Sequence, residues 1–303
     1  MEYYYFHPRN KQYLFSEQYK EYELLRSMYQ SYTLGGRIAW FLFNRSKRVR
    51  QLWRARDVEK IAEFEVLQTV CPAETIFVIN KGTGGVEKKT TALGYIPSVG
   101  EAVFFKYANT PVACNNVRNE AEALRMLHGK SFAPQLLDFV DVGNYCYLKT
   151  TVLQGQRLRM HGSDADLLQL LYTIAATKHK TILDNKLVMA WAHGDFCPWN
   201  MMLSPKNELL VYDWEMAGMQ PLGYDLFCYL FQTSFLLHQR RKVSSVLKAN
   251  HSLITTYFAN YAINDYTVYL MAFAQRKIDK ENEKGSVKLR KSYEKLLKYV
   301  EKI

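Results

Sequence analysis

Residues 193–215 read His-Gly-Asp-Phe-Cys-Pro-Trp-Asn, then Met-Met-Leu-Ser-Pro-Lys-Asn-Glu-Leu-Leu-Val-Tyr, and end in Asp-Trp-Glu. Two short apolar runs, Met201–Leu203 and Leu209–Tyr212, flank the Ser-Pro-Lys-Asn turn, and this pattern predicts a small β-hairpin. Folding the hairpin returns Asn200 and Asp213 to the same end. The stretch therefore predicts two oxygen-bearing side chains that face one point.

Asp195, a short loop away from this end, completes a set of three polar side chains with Asn200 and Asp213. Mg²⁺ prefers carboxylate and amide oxygens, takes few protein ligands and fills its shell with water and substrate phosphates. An acidic group near the metal can accept a proton from an attacking hydroxyl. The order of acid, asparagine and second acid matches the catalytic loop and metal-binding aspartate of protein kinases. The alternative is two surface loops with solvated acidic groups.

The His-Gly-Asp opening and the Asp-Trp-Glu ending resemble the aminoglycoside phosphotransferase/choline kinase-like family. This resemblance implies an α+β, bilobal protein kinase-like fold with a small antiparallel-sheet N-lobe and a mainly helical C-lobe. It implies transfer of the γ-phosphoryl group of ATP to a hydroxyl, with Mg²⁺ as the metal. Asp195 would then be catalytic, while Asn200 and Asp213 would hold the metal. Glu215 would assist a second metal position or only hold the loop.

Composition excludes several classes of protein. The 303 residues are 48% apolar and 14% aromatic, too rich in both for a disordered chain. Five cysteines without a Cys-x-x-Cys spacing argue against a disulfide framework or zinc cluster. No run approaches the ~18 apolar residues of a membrane span. We expect a cytoplasmic protein. The net charge of +11 permits contact with nucleic acid, anionic lipid or an acidic substrate, but no nucleic-acid-binding signature accompanies it.

Residues 1–71 form a basic, aromatic-rich extension that precedes the N-lobe (72–153) and the C-lobe (154–303). Its pattern predicts a helical extension with two helices, over 17–29 and from residue 37 to about 70. Apolar residues of the second helix form a stripe with arginines around it. The stripe either packs on the rest of the protein, which we favour, or lies on an anionic membrane surface through residues 37–56. The second option would place the protein at the inner face of a membrane.

A glycine-rich turn separates two predicted strands of the N-lobe, over 75–80 and 88–96. Because glycine permits close approach, the backbone N–H groups of such a turn can bind phosphates. The candidate residues are Gly82, Thr83, Gly84 and Gly85. The signal is weak, since most such turns are plain hairpins, and the turn does not have the spacing of a Walker A loop.

Lys106 ends the next predicted strand, and a predicted helix over 115–128 follows it. The family resemblance implies that Lys106 holds the ATP phosphates and that Glu120 of this helix pairs with it; Glu122 is the competing choice. The resemblance also places the interlobe hinge after Lys149, where backbone groups of Thr151, Val152 and Leu153 would contact adenine.

Several C-lobe features are predicted to be structural. His193 would orient the catalytic loop, and Asp225 would cap a helix over 226–237. A nucleophilic Cys197 is disfavoured, because Pro198 interrupts any strand there and no second ligand cluster exists. A helix is also expected over 164–184, and residues 277–302 are expected to form an exposed, mixed-charge face.

The phosphate acceptor is left open by the resemblance. Members of such families phosphorylate antibiotics, choline, ethanolamine, sugars and lipid-linked glycans. We expect a small-molecule or glycan acceptor, specifically a sugar hydroxyl of a surface-polysaccharide or lipopolysaccharide intermediate. The alternatives are an aminoglycoside or choline/ethanolamine kinase, and a kinase-like binding protein with little catalytic activity.

Overall fold

The computed structural model describes every residue except 1, 7–10, 30, 32, 57, 59, 60, 159–162, 184–186, 238–240, 284 and 303. The chain forms two compact units. The first comprises residues 1–121 and 135–152, and the second comprises 122–134 and 153–303. The first unit thus includes most of the residues that the sequence analysis assigned to an extension and to an N-lobe. The three-part functional division stays a prediction.

A seven-stranded antiparallel sheet forms the centre of the first unit. Its strands are β1 (Tyr3–Phe6), β2 (Tyr13–Ser16), β3 (Ile76–Asn80), β4 (Lys89–Ile96), β5 (Glu101–Ala108), β6 (Leu136–Asp141) and β7 (Cys146–Thr151). They are arranged in the order β1-β2-β3-β4-β5-β7-β6. The helices of this unit are α1 (Glu23–Ser27), α2 (Leu34–Arg45), α3 (Lys47–Leu52), α4 (Ala62–Val70) and the part of α5 (Pro111–Met126) up to residue 121.

The extension begins with two strands before its helices, so the prediction of a helical extension was wrong at its start. Strand β2 pairs with β3 and thereby joins the hairpin β1–β2 to the sheet. Both sheet faces are buried: Tyr5 packs in a cluster with Phe64 of α4, whereas Tyr4 packs in a cluster with Phe43 of α2. A strand buried on both faces lacks the alternation of polar and apolar residues. This is why the pattern of β1 did not indicate a strand.

The predicted single helix from residue 37 to 70 is divided into three. Ser46 ends α2 and caps α3, because its side chain accepts a hydrogen bond from the Val49 backbone N–H at 3.2 Å. Arg50 is buried and donates to the carbonyl oxygens of Phe43 (2.8 Å) and Asn44 (3.1 Å) at the end of α2. A cation at a helix C-terminus satisfies free carbonyl groups and interacts favourably with the helix dipole. Residues 53–61 then separate α3 from α4.

The second unit contains two three-stranded sheets and a set of helices. The sheets have the orders β13-β10-β9 and β12-β11-β8. Their strands are β8 (Gln156–Arg157), β9 (Thr181–Leu183), β10 (Leu187–Ala192), β11 (Met201–Leu203), β12 (Leu209–Val211) and β13 (Gly218–Pro221). The helices are α6 (Asp164–Ala175), α7 (Tyr224–Phe227), α8 (Thr233–Leu237), α9 (Val243–Ala249), α10 (His251–Ala259), α11 (Thr267–Glu283) and α12 (Val287–Val300).

Several predicted helices have different bounds. The helix predicted over 164–184 ends at Ala175 and is followed by β9, and its predicted last residue lies outside the described residues. The helix predicted over 226–237 is interrupted by a π-helical turn, Cys228–Gln232. Helix α5 begins four residues earlier than predicted, with Pro111 in its first position. Proline fits there because its missing N–H would have no intrahelical partner.

The expectation of an exposed face over residues 277–302 was wrong at several positions. Helices α11 and α12 pack against each other, and this contact buries Lys277, Tyr293 and Leu296. In the part of the chain that the structure describes, no helix combines the length and apolar character that crossing a membrane requires.

Candidate active site

The loop after β10 starts at His193, and its second residue is a glycine that no other residue could replace without strain. Gly194 has φ +82°, in the left-handed region that disfavours residues with a Cβ. A Cβ atom there would lie 2.0 Å from the carbonyl oxygen of Met216. Gly194 therefore allows the loop that carries Asp195 to approach the turn that follows Asp213.

Asp225 holds the backbone of this loop. Its Oδ2 accepts a hydrogen bond from the His193 N–H at 2.7 Å, and its Oδ1 accepts one from the Gly194 N–H at 2.9 Å. Burial raises the pKa of Asp225, while the contacts with His193 and Gly194 act to lower it. The prediction that Asp225 caps its helix was wrong: the N-cap of α7 is Gly223, without a side-chain cap. Sequence reasoning missed this contact because it joins segments more than 30 residues apart.

His193 is engaged through both ring nitrogens. Its Nδ1 accepts a hydrogen bond from the Asp195 N–H at 3.2 Å, and its Nε2 lies 3.0 Å from the Tyr212 carbonyl oxygen. These partners assign the proton to Nε2. The ring is fully buried, with its centroid 4.5 Å from that of Trp214. This geometry agrees with the prediction that His193 orients the loop.

The Asp195 carboxylate is held by two amide groups. The Nδ2 of Asn200 donates to Asp195 Oδ2 at 3.0 Å and to the Asp195 carbonyl oxygen at 2.9 Å. The Nε2 of Gln232 donates to Asp195 Oδ1 at 2.6 Å. Both carboxylate oxygens therefore accept hydrogen bonds, which fixes the side-chain rotamer. The sequence analysis did not identify Gln232.

The predicted hairpin is confirmed. Strands β11 and β12 pair in a register that places Met201 opposite Val211, and the Tyr212 N–H donates to the Asn200 carbonyl oxygen at 3.1 Å. Asn200 and Asp213 thus lie at the same end of the hairpin, as predicted.

Asp213 occupies the left-handed region with φ +69° and ψ +58°. Such a conformation is uncommon for a residue other than glycine and is often found at functional sites. The next residue, Trp214, is fully buried, stacks on Trp191 and donates from Nε1 to the Val211 carbonyl oxygen at 3.0 Å. A rigid aromatic anchor thus follows the candidate metal ligand directly.

The donor set of the second unit suits Mg²⁺. Asn200 uses its Nδ2 for hydrogen bonds to Asp195, so its Oδ1 is the atom that can bind a cation. Asp213 supplies a carboxylate, and both are the hard oxygen donors that Mg²⁺ selects. Glu215 lies partly buried in the 3₁₀ turn that follows.

In the first unit, the predicted ion pair between Lys106 and Glu120 is present. The Lys106 Nζ lies 2.6 Å from the Glu120 Oε2, and both side chains are buried. The competing residue, Glu122, is exposed on α5. The pair places one ammonium group at a defined position on β5.

The glycine-rich turn joins β3 to β4. Gly82 has φ +68°, a Cβ there would lie 2.2 Å from the Lys89 carbonyl oxygen, and its N–H donates to Asn80 Oδ1 at 3.0 Å. Thr83, Gly84 and Gly85 are exposed. The N–H of Thr151 donates within its unit, to the Gln135 carbonyl oxygen at 2.9 Å. Nucleotide contacts by the turn and by Thr151, Val152 and Leu153 stay predictions.

All five cysteines are free and buried. Burial raises the pKa of the Cys197 thiol far above its usual range. Because the thiolate is the reactive form, this supports the view that Cys197 is not a nucleophile.

Comparison with solved structures identifies the fold. A thermostable mutant of aminoglycoside phosphotransferase APH(4)-Ia, in a ternary complex with AMP-PNP and hygromycin B, aligns with a TM-score of 0.54 and 11% identity. The alignment covers 80% of this chain and 97% of that chain. A second such complex gives a TM-score of 0.53 at 12% identity and covers 81% and 98% of the two chains. The fold is that of the aminoglycoside phosphotransferases.

Sequence comparison agrees with this aminoglycoside phosphotransferase fold over part of the chain. Residues 147–243, about a third of the chain, match the sequence model of the Phosphotransferase enzyme family. This segment contains Asp195, Asn200 and Asp213. No curated protein sequence matches the chain. Together the comparisons support a phosphotransferase.

Proposed function

We propose that this protein is an ATP- and Mg²⁺-dependent phosphotransferase that moves the γ-phosphoryl group to a hydroxyl of a small molecule or glycan. One observation carries the proposal: the Asp195 carboxylate is held by two amides beside a hairpin that ends in Asn200 and Asp213. Phosphoryl transfer requires positioning and charge neutralisation more than covalent chemistry. A fixed carboxylate next to paired hard-oxygen donors meets these requirements.

Each residue has a definite role in this proposal. Asp195 orients the acceptor hydroxyl and accepts its proton. Asn200 Oδ1 and the Asp213 carboxylate hold Mg²⁺, which neutralises charge on the phosphates when it is bound. Lys106, positioned by Glu120, binds phosphate oxygens. The N–H groups of residues 82–85 contribute further phosphate contacts, and backbone groups of 151–153 bind adenine.

Thermal unfolding combined with a transfer assay tests these roles. We expect MgATP to raise the melting temperature of the protein. Asp195→Asn should keep this shift and lose transfer, whereas Asp213→Asn should lose the Mg²⁺-dependent part of the shift. Full turnover in Asp195→Asn would refute its role. If MgATP stabilises the protein but the protein neither transfers phosphate to any acceptor nor hydrolyses ATP, the kinase-like binding protein would be favoured instead.

For the acceptor, we propose a sugar hydroxyl on a surface-polysaccharide or lipopolysaccharide intermediate. The solved structures that share this fold include complexes with hygromycin B, which supports a small-molecule acceptor. A phosphate-transfer screen over sugars, glycolipids, amino alcohols and aminoglycosides would identify the acceptor class. Transfer only to aminoglycosides or only to choline and ethanolamine would overturn the glycan proposal.

The outer face of α2 supports a contact with an anionic membrane surface. The side chains of Leu34, Ile38, Phe41 and Leu42 are 75%, 55%, 59% and 47% exposed. The opposite face of α2 packs inward, with Phe43 fully buried. A helix that is apolar all round is normally covered on all sides. The expectation that this stripe packs on the protein was therefore wrong for Ile38, Phe41 and Leu42.

The charge around this exposed face complements anionic lipid. Residues 33–56 contain seven lysines or arginines and no acidic residue. The Arg45 guanidinium lies 6.0 Å from the centroid of the Phe41 ring, so a cation lies beside the exposed apolar stripe. Apolar side chains flanked by basic ones are typical of helices that lie in the membrane interface.

Sedimentation with liposomes tests the membrane contact. We expect binding to vesicles with anionic lipid at low salt, weaker binding as salt rises, and loss of binding in Ile38→Ser/Phe41→Ser. A matched control, Val99→Ser/Leu137→Ser, changes two exposed apolar side chains elsewhere in the same unit and should bind normally. No sedimentation at low salt, or concentration-dependent dimerisation abolished by the Ile38/Phe41 changes, would overturn this proposal.

A further inference from the structure

A buried lysine in the second unit is linked to the candidate catalytic carboxylate through a single intervening side chain. Lys277 of α11 is only 2% exposed, and its ammonium lies 5.1 Å from the centroid of the Tyr224 ring. Among the described residues, no carboxylate forms a salt bridge with it. Its hydrogen bond to the side chain of Gln232 is 2.7 Å long. Burial of a cation without a direct counter-ion is costly, so its retention at this position calls for an explanation.

Lys277 is charged despite its burial. Desolvation acts to lower the pKa of Lys277, whereas Cys228, Tyr224, Tyr293 and Asp195 act to raise it, and the pKa lies well above the usual lysine value. The side chain is therefore an ammonium group, which can donate hydrogen bonds and cannot accept them.

Gln232 joins this ammonium to Asp195. Its Oε1 accepts hydrogen bonds from Lys277 Nζ (2.7 Å) and from the Tyr293 hydroxyl (3.3 Å), and its Nε2 donates to Asp195 Oδ1 (2.6 Å). The two ends of a glutamine amide are distinguished by their hydrogen-bond partners. Because a lysine can only donate, it assigns the oxygen to its own side and turns the NH₂ group toward Asp195.

The backbone around Gln232 supports this arrangement. Gln232 is the last residue of the π-helical turn Cys228–Gln232, between α7 and α8. Such turns are rare and are found frequently at functional sites. The sequence signal for Lys277 was its place on the apolar stripe of α11, next to the buried residues Phe273, Ala274 and Ile278.

We propose that Lys277 and Gln232 are positioning residues for the phosphoryl transfer, with Lys277 fixing the amide orientation through which Gln232 holds the Asp195 carboxylate. The role of Asp195 itself rests on the proposed function. Without the ammonium, Gln232 Oε1 keeps only the 3.3 Å hydrogen bond from the Tyr293 hydroxyl, and the amide is held less firmly against the Asp195 carboxylate. The carboxylate then leaves the position in which it meets the acceptor hydroxyl.

Steady-state kinetics of Lys277→Met test the proposal. We expect kcat to fall about 10- to 100-fold, because a small misplacement of a reacting group has effects of this size. The KM for ATP should change less than threefold. Gln232→Leu should give a similar loss, and the double variant should be no worse than Gln232→Leu alone, since Lys277 acts through Gln232. Additive losses, or a normal kcat in Lys277→Met, would overturn the proposal.

Two further variants separate positioning from a general structural role. Arg276→Met changes a neighbouring exposed cation on α11, which pairs with Gln220 at 3.0 Å, and should leave kcat unchanged. If Lys277→Met does not fold, Tyr293→Phe removes only the second donor to Gln232 Oε1. It should lower kcat two- to fivefold with an unchanged melting temperature. An unchanged kcat in folded Tyr293→Phe would then count against the proposal.

A readout without turnover distinguishes failure of this inference from failure of the proposed function. The side-chain NH₂ of Gln232 can be assigned by NMR as the glutamine signal that Gln232→Leu loses. Its hydrogen exchange should be at least tenfold faster in Lys277→Met than in the unmodified protein. Unchanged exchange of the Gln232 NH₂ group in Lys277→Met would overturn the positioning role, whatever the acceptor is. If exchange is faster in Lys277→Met but the unmodified protein transfers phosphate to no acceptor, only the proposed function is refuted.

Discussion

Gly194→Ala is the sharpest single test of the active-site geometry. The new Cβ would lie 2.0 Å from the Met216 carbonyl oxygen and 2.8 Å from its carbonyl carbon, and a backbone group cannot swing aside as a flexible side chain can. The φ of +82° adds a left-handed penalty of about 1–2 kcal/mol. Overpacking adds about 1–3 kcal/mol. The total destabilisation is about 2–5 kcal/mol.

A matched control separates the clash from the backbone strain. Gly129 of the same unit has φ +77°, but nothing lies within 4 Å of a Cβ placed there. Gly129→Ala should therefore cost only about 1–2 kcal/mol, or a fall of about 2–4 °C in melting temperature. We expect a fall of about 4–10 °C for Gly194→Ala, together with loss of the Mg²⁺-dependent shift by ATP. Equal melting temperatures for both variants, with the ATP shift intact, would refute the argument that Gly194 brings the two loops together.

Three further predictions concern buried polar groups. Glu120→Gln should destabilise the first unit by about 3 kcal/mol, because it leaves the Lys106 ammonium buried without its carboxylate. The double variant Lys106→Met/Glu120→Leu should recover the melting temperature but not ATP binding. Recovery of both would contradict the proposal that Lys106 binds phosphate. Asp225→Asn should lower the free energy of unfolding in urea by about 2–3 kcal/mol, since one of the two backbone N–H partners of Asp225 then faces an NH₂ group. It should also lower kcat, with a smaller change in KM. An unchanged kcat would show that the loop backbone does not need this carboxylate. Burial raises the pKa of Cys228 to about 12 from a usual 9.0, so the folded state favours the neutral thiol more than the unfolded state does. The stability that this buried thiol contributes is intact below pH 9 and is lost as pH rises toward 12. The loss reaches about 1.4 kcal/mol by pH 10, and Cys228→Ala should reduce the alkaline fall in urea midpoint; an identical fall in the variant would contradict the assignment.

The parts of the molecule that sequence reasoning predicted are those governed by local pattern. The hairpin between Asn200 and Asp213 follows from two apolar runs and a proline-containing turn, and its register follows from the turn length. The strand that ends in Lys106 and the helix that carries Glu120 follow from local pattern, whereas their pairing was implied by the family resemblance and is present in the structure. In the hairpin, few residues separate Asn200 from Asp213, so the local sequence nearly determines that they meet.

The parts that sequence reasoning missed depend on contacts between distant segments. Strand β1 pairs with β2, and β2 pairs with β3 some 60 residues further along, so no local pattern marks the hairpin as part of the sheet. Its residues are buried on both faces, which removes the alternation that would indicate a strand. Likewise, the exposed stripe on α2 and the buried stripe beside it are equally apolar. Periodicity therefore could not indicate which side faces the core.

The segment from Tyr224 to Gln232 holds the loop that carries Asp195. Its first turn contributes Asp225, which binds the loop backbone, and its last residue is Gln232, which binds the Asp195 side chain. A regular helix advances 100° per residue, so residues seven apart lie on nearly the same face. Asp225 and Gln232 are seven apart, but the π-helical turn Cys228–Gln232 changes the spacing between them, and their shared side is shown by the contacts that both make with the loop. One short helical segment thus fixes both the path of the loop and the orientation of its carboxylate, and Lys277 extends this support to α11.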